Sequence, residues 1–283
     1  MSVKIISDST CDLSKELVDR YNIEIVPLTV TLGTKSGHDG TEITPEDIYE
    51  YVERTGQLSK TSAVSVAEYT NVFREWREKG YYIVHFCISE KFSSTYQNAC
   101  LAAKEVGGVY PVDSRNLSTG QGLMVIRAAE LAMQDVPAAK IAEECIAMSD
   151  RIEASFVVNS IDYLRKGGRC SALAALGSNL LQIKPCINVA DGYMSPGKKY
   201  RGKIGKVIRE YVCDRLEGRT DIENDRIFIT HTRCDSDVVD TVKELVREYC
   251  PDIKEILETT AGATVTTHCG PGTLGVLFVR KPE

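Results

Sequence analysis

Apolar and polar positions along this chain fall into two textures. From the N-terminus to about residue 151, short apolar runs alternate with segments whose apolar residues recur every three or four positions. These are the periods of strands and amphipathic helices. The runs predict strands over residues 3–7, 23–30, 81–88 and 109–112. Helices are predicted from Asp12 or Ser14 to about Tyr21, and over 94–106, 117–133 and 137–151. Two further helices carry start signals. Thr44-Pro45-Glu46-Asp47 puts a hydroxyl cap, an early proline and acids at the positive end of the helix dipole. Ser65-Val66-Ala67-Glu68 is a capping box opening a helix to about Lys79. Strand–helix alternation of this kind predicts a doubly wound, mostly parallel sheet, and the uninterrupted apolar run at 81–88 suits its middle.

After residue 152 strands outnumber strand–helix–strand units. Strands are predicted at 155–159, 185–190, 226–231, 253–259 and 273–280, with 192–195 as a hairpin partner. Helices fit 171–183, 204–217 and 236–249. The expected fold class is α/β, with an N-terminal doubly wound domain over 1–152 and a smaller α+β domain with a mixed sheet over 153–283. Residues 191–205, rich in Gly and Lys, are expected to form an exposed loop.

Composition narrows the function classes. The 283 residues carry 34 Lys+Arg against 40 Asp+Glu, a net charge of −6, which disfavours nucleic acid as the partner. No apolar stretch reaches the ~18 residues of a membrane span, and residues 1–10 lack a signal-peptide pattern. A cytoplasmic protein is expected. The ten cysteines form no C-x-x-C pair and no Cys/His zinc spacing. They are read as reduced thiols, with no metal and no disulfide.

Four polar motifs follow strands or turns, where α/β folds place ligands. Asp8-Ser9-Thr10-Cys11-Asp12 is best explained as helix capping. Lys60-Thr61-Ser62 offers two hydroxyls in a loop. Phe92-Ser93-Ser94-Thr95 stands at the end of the 81–88 run and opens a helix, whose free N–H groups with Ser93 suit a carboxylate. Thr267-His268-Cys269-Gly270-Pro271-Gly272 holds a histidine in a fixed turn. His231 is a weaker candidate, and His38 and His85 are read as structural. A fifth segment, 164–187, places Arg165, Lys166 and Arg169 around Gly167 and Gly168. Behind them Leu173, Leu176, Leu180 and Ile183 make an apolar helix face. Cations beside such a face suit a ligand with an anionic head and a greasy tail. P-loop, dinucleotide-binding and G-x-S-x-G patterns are absent. A binder is therefore favoured over a self-sufficient catalyst. The alternatives are a small-molecule phosphotransferase or hydrolase using Ser93 with His268, and a lipid sensor.

Taken in order, D-S-T-C-D-L at 8–13, K-T-S at 60–62, F-S-S-T-Y-Q at 92–97, V-D-S-R-N-L-S-T-G-Q-G at 112–122, L-R-K-G-G-R at 164–169 and H-C-G-P-G at 268–272 resemble the DegV family. The resemblance spans the chain. It implies a two-domain fold that encloses a long-chain fatty acid, with the acyl chain in the C-terminal domain and the carboxylate near the domain junction. It also implies a separate ATP-dependent kinase subunit that converts the bound acid to an acyl phosphate. Carried over by residue, the carboxylate ligands are Thr61 or Ser62, Ser93 and His268. Arg169, with Arg165, lies near the head group or the kinase-docking face. No cofactor is implied. Ala63-Val64 stands where the family often has Gln-Pro, and Ser94 where it often has Gly. Both departures flank the implied head-group site. A buried methylene is worth about 0.8 kcal/mol, so a tail of about fifteen carbons offers on the order of 12 kcal/mol before costs.

Overall fold

The computed structural model describes residues 2–170 and 183–282. β1 (Val3–Asp8) is buried over its last five residues. A 3-10 turn at Ser9–Cys11 leads to α1 (Lys15–Arg20), where the Ser14 side chain accepts from Leu17 N. The run expected as one strand over 23–30 is two: β2 (Glu24–Val26) and β3 (Thr29–Leu32). Pro27 stands between them. Having no N–H, it cannot continue the ladder beside β1. The next amide, Leu28 N, donates to Ser9 Oγ instead. β4 (Lys35–His38) follows, then α2 (Pro45–Thr55), where Thr44 and Asp47 form a reciprocal capping box. β5 (Lys60–Ser62) pairs antiparallel with β3, so Lys60-Thr61-Ser62 is a strand of a small β4-β3-β5 sheet rather than a loop.

α3 (Val66–Glu78) opens on the Ser65/Glu68 capping box. β6 (Tyr82–Cys87), α4 (Thr95–Val106), β7 (Val109–Asp113), α5 (Thr119–Met133) and α6 (Ala138–Ser149) complete the first half. The sheet runs β2-β1-β6-β7, all parallel. Alternate residues of β6 face opposite ways. Ile83 and Cys87 pack with Tyr69, Phe73 and Ala99 of α3 and α4. Val84 and Phe86 join Met124, Ile126 and Ile141 of α5 and α6. Helices on both faces make the sheet doubly wound.

The second half comprises β8 (Ile152–Val157), α7 (Asp162–Gly167), β9 (Ile183–Ala190), β10 (Tyr193–Arg201), α8 (Ile204–Leu216), β11 (Ile222–Thr232), α9 (Ser236–Tyr249), β12 (Glu255–Thr260), α10 (Ala263–Cys269) and β13 (Thr273–Arg280). Its mixed sheet runs β10-β9-β8-β13-β11-β12, with β11 and β12 parallel and the other pairs antiparallel. The helix expected over 171–183 lies outside the described residues, with its face residues Leu173, Leu176 and Leu180. Only Ile183 is described, and it begins β9.

Two expectations fail here. β10 occupies the segment taken as an exposed loop. It is an edge strand, and its Pro196 and lysines are what edges tolerate. The register shifts between Pro196 and Lys199, while Met194 and Tyr200 are buried inward. β8 begins at Ile152, earlier than the expected 155. One face of the mixed sheet packs on α8 and α9 through Val207, Tyr211, Val242, Ile227 and Phe278. The other face turns to α5. Phe156, Ile187, Phe228 and Leu277 share one apolar core with Leu123 and Val125.

Candidate functional site

α10 was not foreseen, because its Ala-Thr-Val-Thr-Thr-His-Cys sequence is rich in β-branched residues of modest helix propensity. Its first amides are held by two buried carboxylates from the first forty residues. Asp12 Oδ1 accepts from Gly262 N at 2.8 Å. Asp39 Oδ1 accepts from Ala263 N at 2.7 Å, and Oδ2 from Thr264 N at 3.2 Å. Ser9 Oγ donates to Asp39 and Ser118 Oγ to Asp12. A Cβ on Gly262 would lie 3.2 Å from both carboxylates, so glycine suits that position. Carboxylates at a helix N-terminus satisfy orphan donors and complement the dipole. The motif 8–12 is thus a junction: Asp8, fully buried, accepts from Thr10 N, Ile88 N and Gln121 Nε2. Burial pushes the Asp8 carboxyl up and the Asp12 carboxyl to about 8.

The far end of α10 carries His268. Its Nε2 lies 2.9 Å from Thr61 Oγ1 on β5. One residue earlier, Thr267 Oγ1 meets Ser59 Oγ at 2.8 Å. Thr61 is half-buried, while its neighbour Ser62 is exposed and on the opposite face of the strand. The structure therefore brings Thr61, not Ser62, to His268. Burial, and then the nearby Arg169 charge, push His268 down to about 4. Its Nδ1 is buried without a partner among the described residues. A Cβ on Gly167 would lie 2.5 Å from that nitrogen, so only glycine lets α7 approach so closely.

Arg169 is exposed, donates to Gly167 O at 2.7 Å, and lines the cavity that holds His268. Arg165 is exposed on α7. Ser93 Oγ accepts from Thr95 N at 3.2 Å and lies 2.7 Å from Thr95 Oγ1. It thus tightens the start of α4 and bonds neither Thr61 nor His268; its neighbour Phe92 lines the His268 cavity. His231 bonds neither Thr61 nor His268. Its Nε2 meets Glu258 at 3.1 Å, and it borders a cavity with Thr230 and Thr232. His85 is wholly buried between Tyr69 and Phe73, where burial pushes it down to about 3.

Two narrow cavities meet at Leu117, Val265 and Cys269, which line both. The outer one is walled by Ile88, Phe92, Leu164 and Met194, with Arg169, Thr264 and His268. The inner one runs between α5, α10 and the mixed sheet, past Ala154, Phe156, Val189, Gly275 and Leu277. Its walls come from both sides of residue 152. Both are apolar inside; Arg169, Thr264 and His268 border the outer one, and Ser118, Thr230, Thr232 and Thr273 the inner one. A wider surface cleft has a different character. It is lined by Arg115, Asp150, Glu153, Asp191, Arg215 and Arg280, whose charges are paired with one another. Among the described residues, no helix is long and apolar enough to cross a membrane.

Known proteins resemble this chain along its whole length. A DegV domain-containing protein of Clostridium perfringens is 31% identical over 290 residues, covering 99% of each chain. The solved structure described as fatty acid binding of a DegV family protein from Thermus thermophilus superimposes with a TM-score of 0.89 at 31% identity, covering 99% of this chain and 100% of that one. A DegV lipid-binding protein from Thermotoga maritima matches with a TM-score of 0.86 at 30% identity, over the whole of both chains. The family model described as an uncharacterised protein of the DegV family matches residues 2–281. Fold, ordered motifs and relatives agree, and the chain belongs to the DegV family.

Proposed function

We propose that this protein encloses one long-chain fatty acid and presents its carboxylate to a separate ATP-dependent kinase subunit for acyl phosphate formation. The observation that carries the reading is the two neighbouring apolar cavities, the outer one bordered by His268, which pairs with Thr61. Structural neighbours described as fatty-acid-binding support it. The acyl chain lies between α5, α10 and the mixed sheet, at the seam between the first half of the chain and a C-terminal unit that begins near residue 153. The protein works in the cytoplasm, where an enclosed acid is kept out of the bilayer and within reach of the kinase.

The chemistry at the mouth follows from protonation. An imidazole held down to about 4 is neutral at pH 7 and offers no positive charge. With its proton on Nε2 it donates to Thr61 Oγ1, which frees the Thr61 hydroxyl proton for a carboxylate oxygen. Ser93, next to the cavity-lining Phe92, supplies a second hydroxyl once its bond to Thr95 is exchanged for the ligand. Arg169 contributes positive potential from the rim and, with Arg165, faces the kinase.

Native mass spectrometry of the purified protein is expected to show a co-purifying C14–C20 acid, and reconstitution with the kinase subunit and ATP should yield acyl phosphate. Protein that stays empty when offered oleate or palmitate would overturn the reading. Thr61→Val keeps the side-chain shape and removes the donor. It should weaken oleate binding by about 1–3 kcal/mol, the scale of a charged group left one partner short, and lower the melting temperature, because His268 Nε2 loses its partner. Unchanged affinity in a titration would remove Thr61 from the head-group site.

A further inference from the structure

α10 carries three threonines, and two of them are occupied. Thr266 Oγ1 donates back to Ala261 O, ahead of the helix, at 3.2 Å. Thr267 Oγ1 pairs with Ser59 Oγ at 2.8 Å. The third, Thr264, is 4% exposed, and its Oγ1 has no partner among the described residues. Its backbone is fixed, since Asp39 Oδ2 accepts from its N–H. It stands four residues before His268, so both side chains lie on one face of the helix. Both also line the outer cavity together with Arg169.

A buried hydroxyl without a partner destabilises a fold, and valine would fill the same space at no such cost. Groups that break this rule are found where a ligand completes them. We infer that Thr264 is a head-group ligand, donating its hydroxyl to the carboxylate of the bound acid alongside Thr61, whose hydroxyl is oriented by His268. The inference rests on the fatty-acid reading and deepens it. Donors from two elements, β5 and α10, suit a head with two acceptor oxygens, and bonds to an ionised carboxylate are the stronger ones, so the site favours acids over the matching alcohols and esters.

The test compares the wild type with Thr264→Val and Thr264→Ser, using oleate and its methyl ester as probes in binding titrations. Thr264→Val is expected to bind oleate about tenfold more weakly, with a smaller loss for methyl oleate, whose uncharged carbonyl accepts a weaker bond. Its ligand-free melting temperature should rise, because an unsatisfied buried hydroxyl is gone. Thr264→Ser should restore oleate affinity. Wild-type oleate affinity in Thr264→Val overturns the inference, and so does an equal loss for acid and ester, which would make Thr264 a packing residue. Wild-type protein that takes up neither probe removes the fatty-acid reading itself, and this inference with it.

Discussion

Val265→Phe should abolish binding of an acid of about sixteen carbons while leaving binding of one of about eight nearly intact. Val265 stands where the outer and inner cavities meet, with Leu117 and Cys269 as the other shared walls. It is 8% exposed, so a larger side chain has no route to solvent and must enter the cavities. A tail stopped at this neck leaves roughly seven methylenes unburied. At about 0.8 kcal/mol each this is on the order of 6 kcal/mol, about a ten-thousandfold loss of affinity. Overpacking of the wall adds about 1–3 kcal/mol to the folding cost. The melting temperature should therefore be measured beside the two affinities. The short acid is the internal control, because it needs only the outer cavity. Equal palmitate affinity in the variant and the wild type would mean that the tail does not pass between Leu117, Val265 and Cys269.

The parts of the fold legible in sequence are those whose signals are local. Thr44 with Asp47 and Ser65 with Glu68 announce helix starts within four residues, and both capping boxes form. The apolar run around β6 reads as a central parallel strand because both its faces are covered. Failures arise where a distant partner decides. Pro27 splits an apolar run between two sheets. Met194 and Tyr200 fold inward from a Gly- and Lys-rich stretch because β9 is there to pair with it.

α10 is the plainest case. Its β-branched sequence argues for a strand, and carboxylates more than two hundred residues earlier hold it as a helix. The candidate site shares that weakness. Thr61 and His268 are 207 residues apart, and no spacing rule links them. The family resemblance named both, but left Thr61 and Ser62 equivalent until the strand alternation separated them. Thr264 went unseen for the same reason as α10. Had that helix been assigned, its position four residues before His268 would have marked it.

Asp12→Asn should make the protein more stable, by an amount that grows with pH. Asp12 is buried, and desolvation raises its carboxyl from 3.8 to about 8, with smaller contributions from Asp39 and Asp8. Its hydrogen bonds from Ser118 and Gly262 only partly offset that burial. A folded-state pKa above the unfolded value contributes stability that is complete below about 3.8 and is lost as pH rises towards 8. Each pH unit in that window removes about 1.4 kcal/mol, so by pH 7 the native state carries a cost on the order of 4 kcal/mol.

Asparagine reproduces the protonated acid without this titration. Its Oδ1 can still accept from Gly262 N, and its Nδ2 donates to Ser118 Oγ. Asp12 has φ 51°, a left-handed conformation that asparagine tolerates well. Urea unfolding of both proteins at pH 5, 7 and 8 should show curves that diverge steadily as pH rises. Parallel curves would mean that Asp12 ionises in the native state as it does in the unfolded chain. Divergence would identify the tie between the N-terminal junction and α10 as a neutral hydrogen-bonded one at pH 7. Asp12 would then help to hold the helix that carries Thr264 and His268 without adding a negative charge of its own beside a site built to receive a carboxylate.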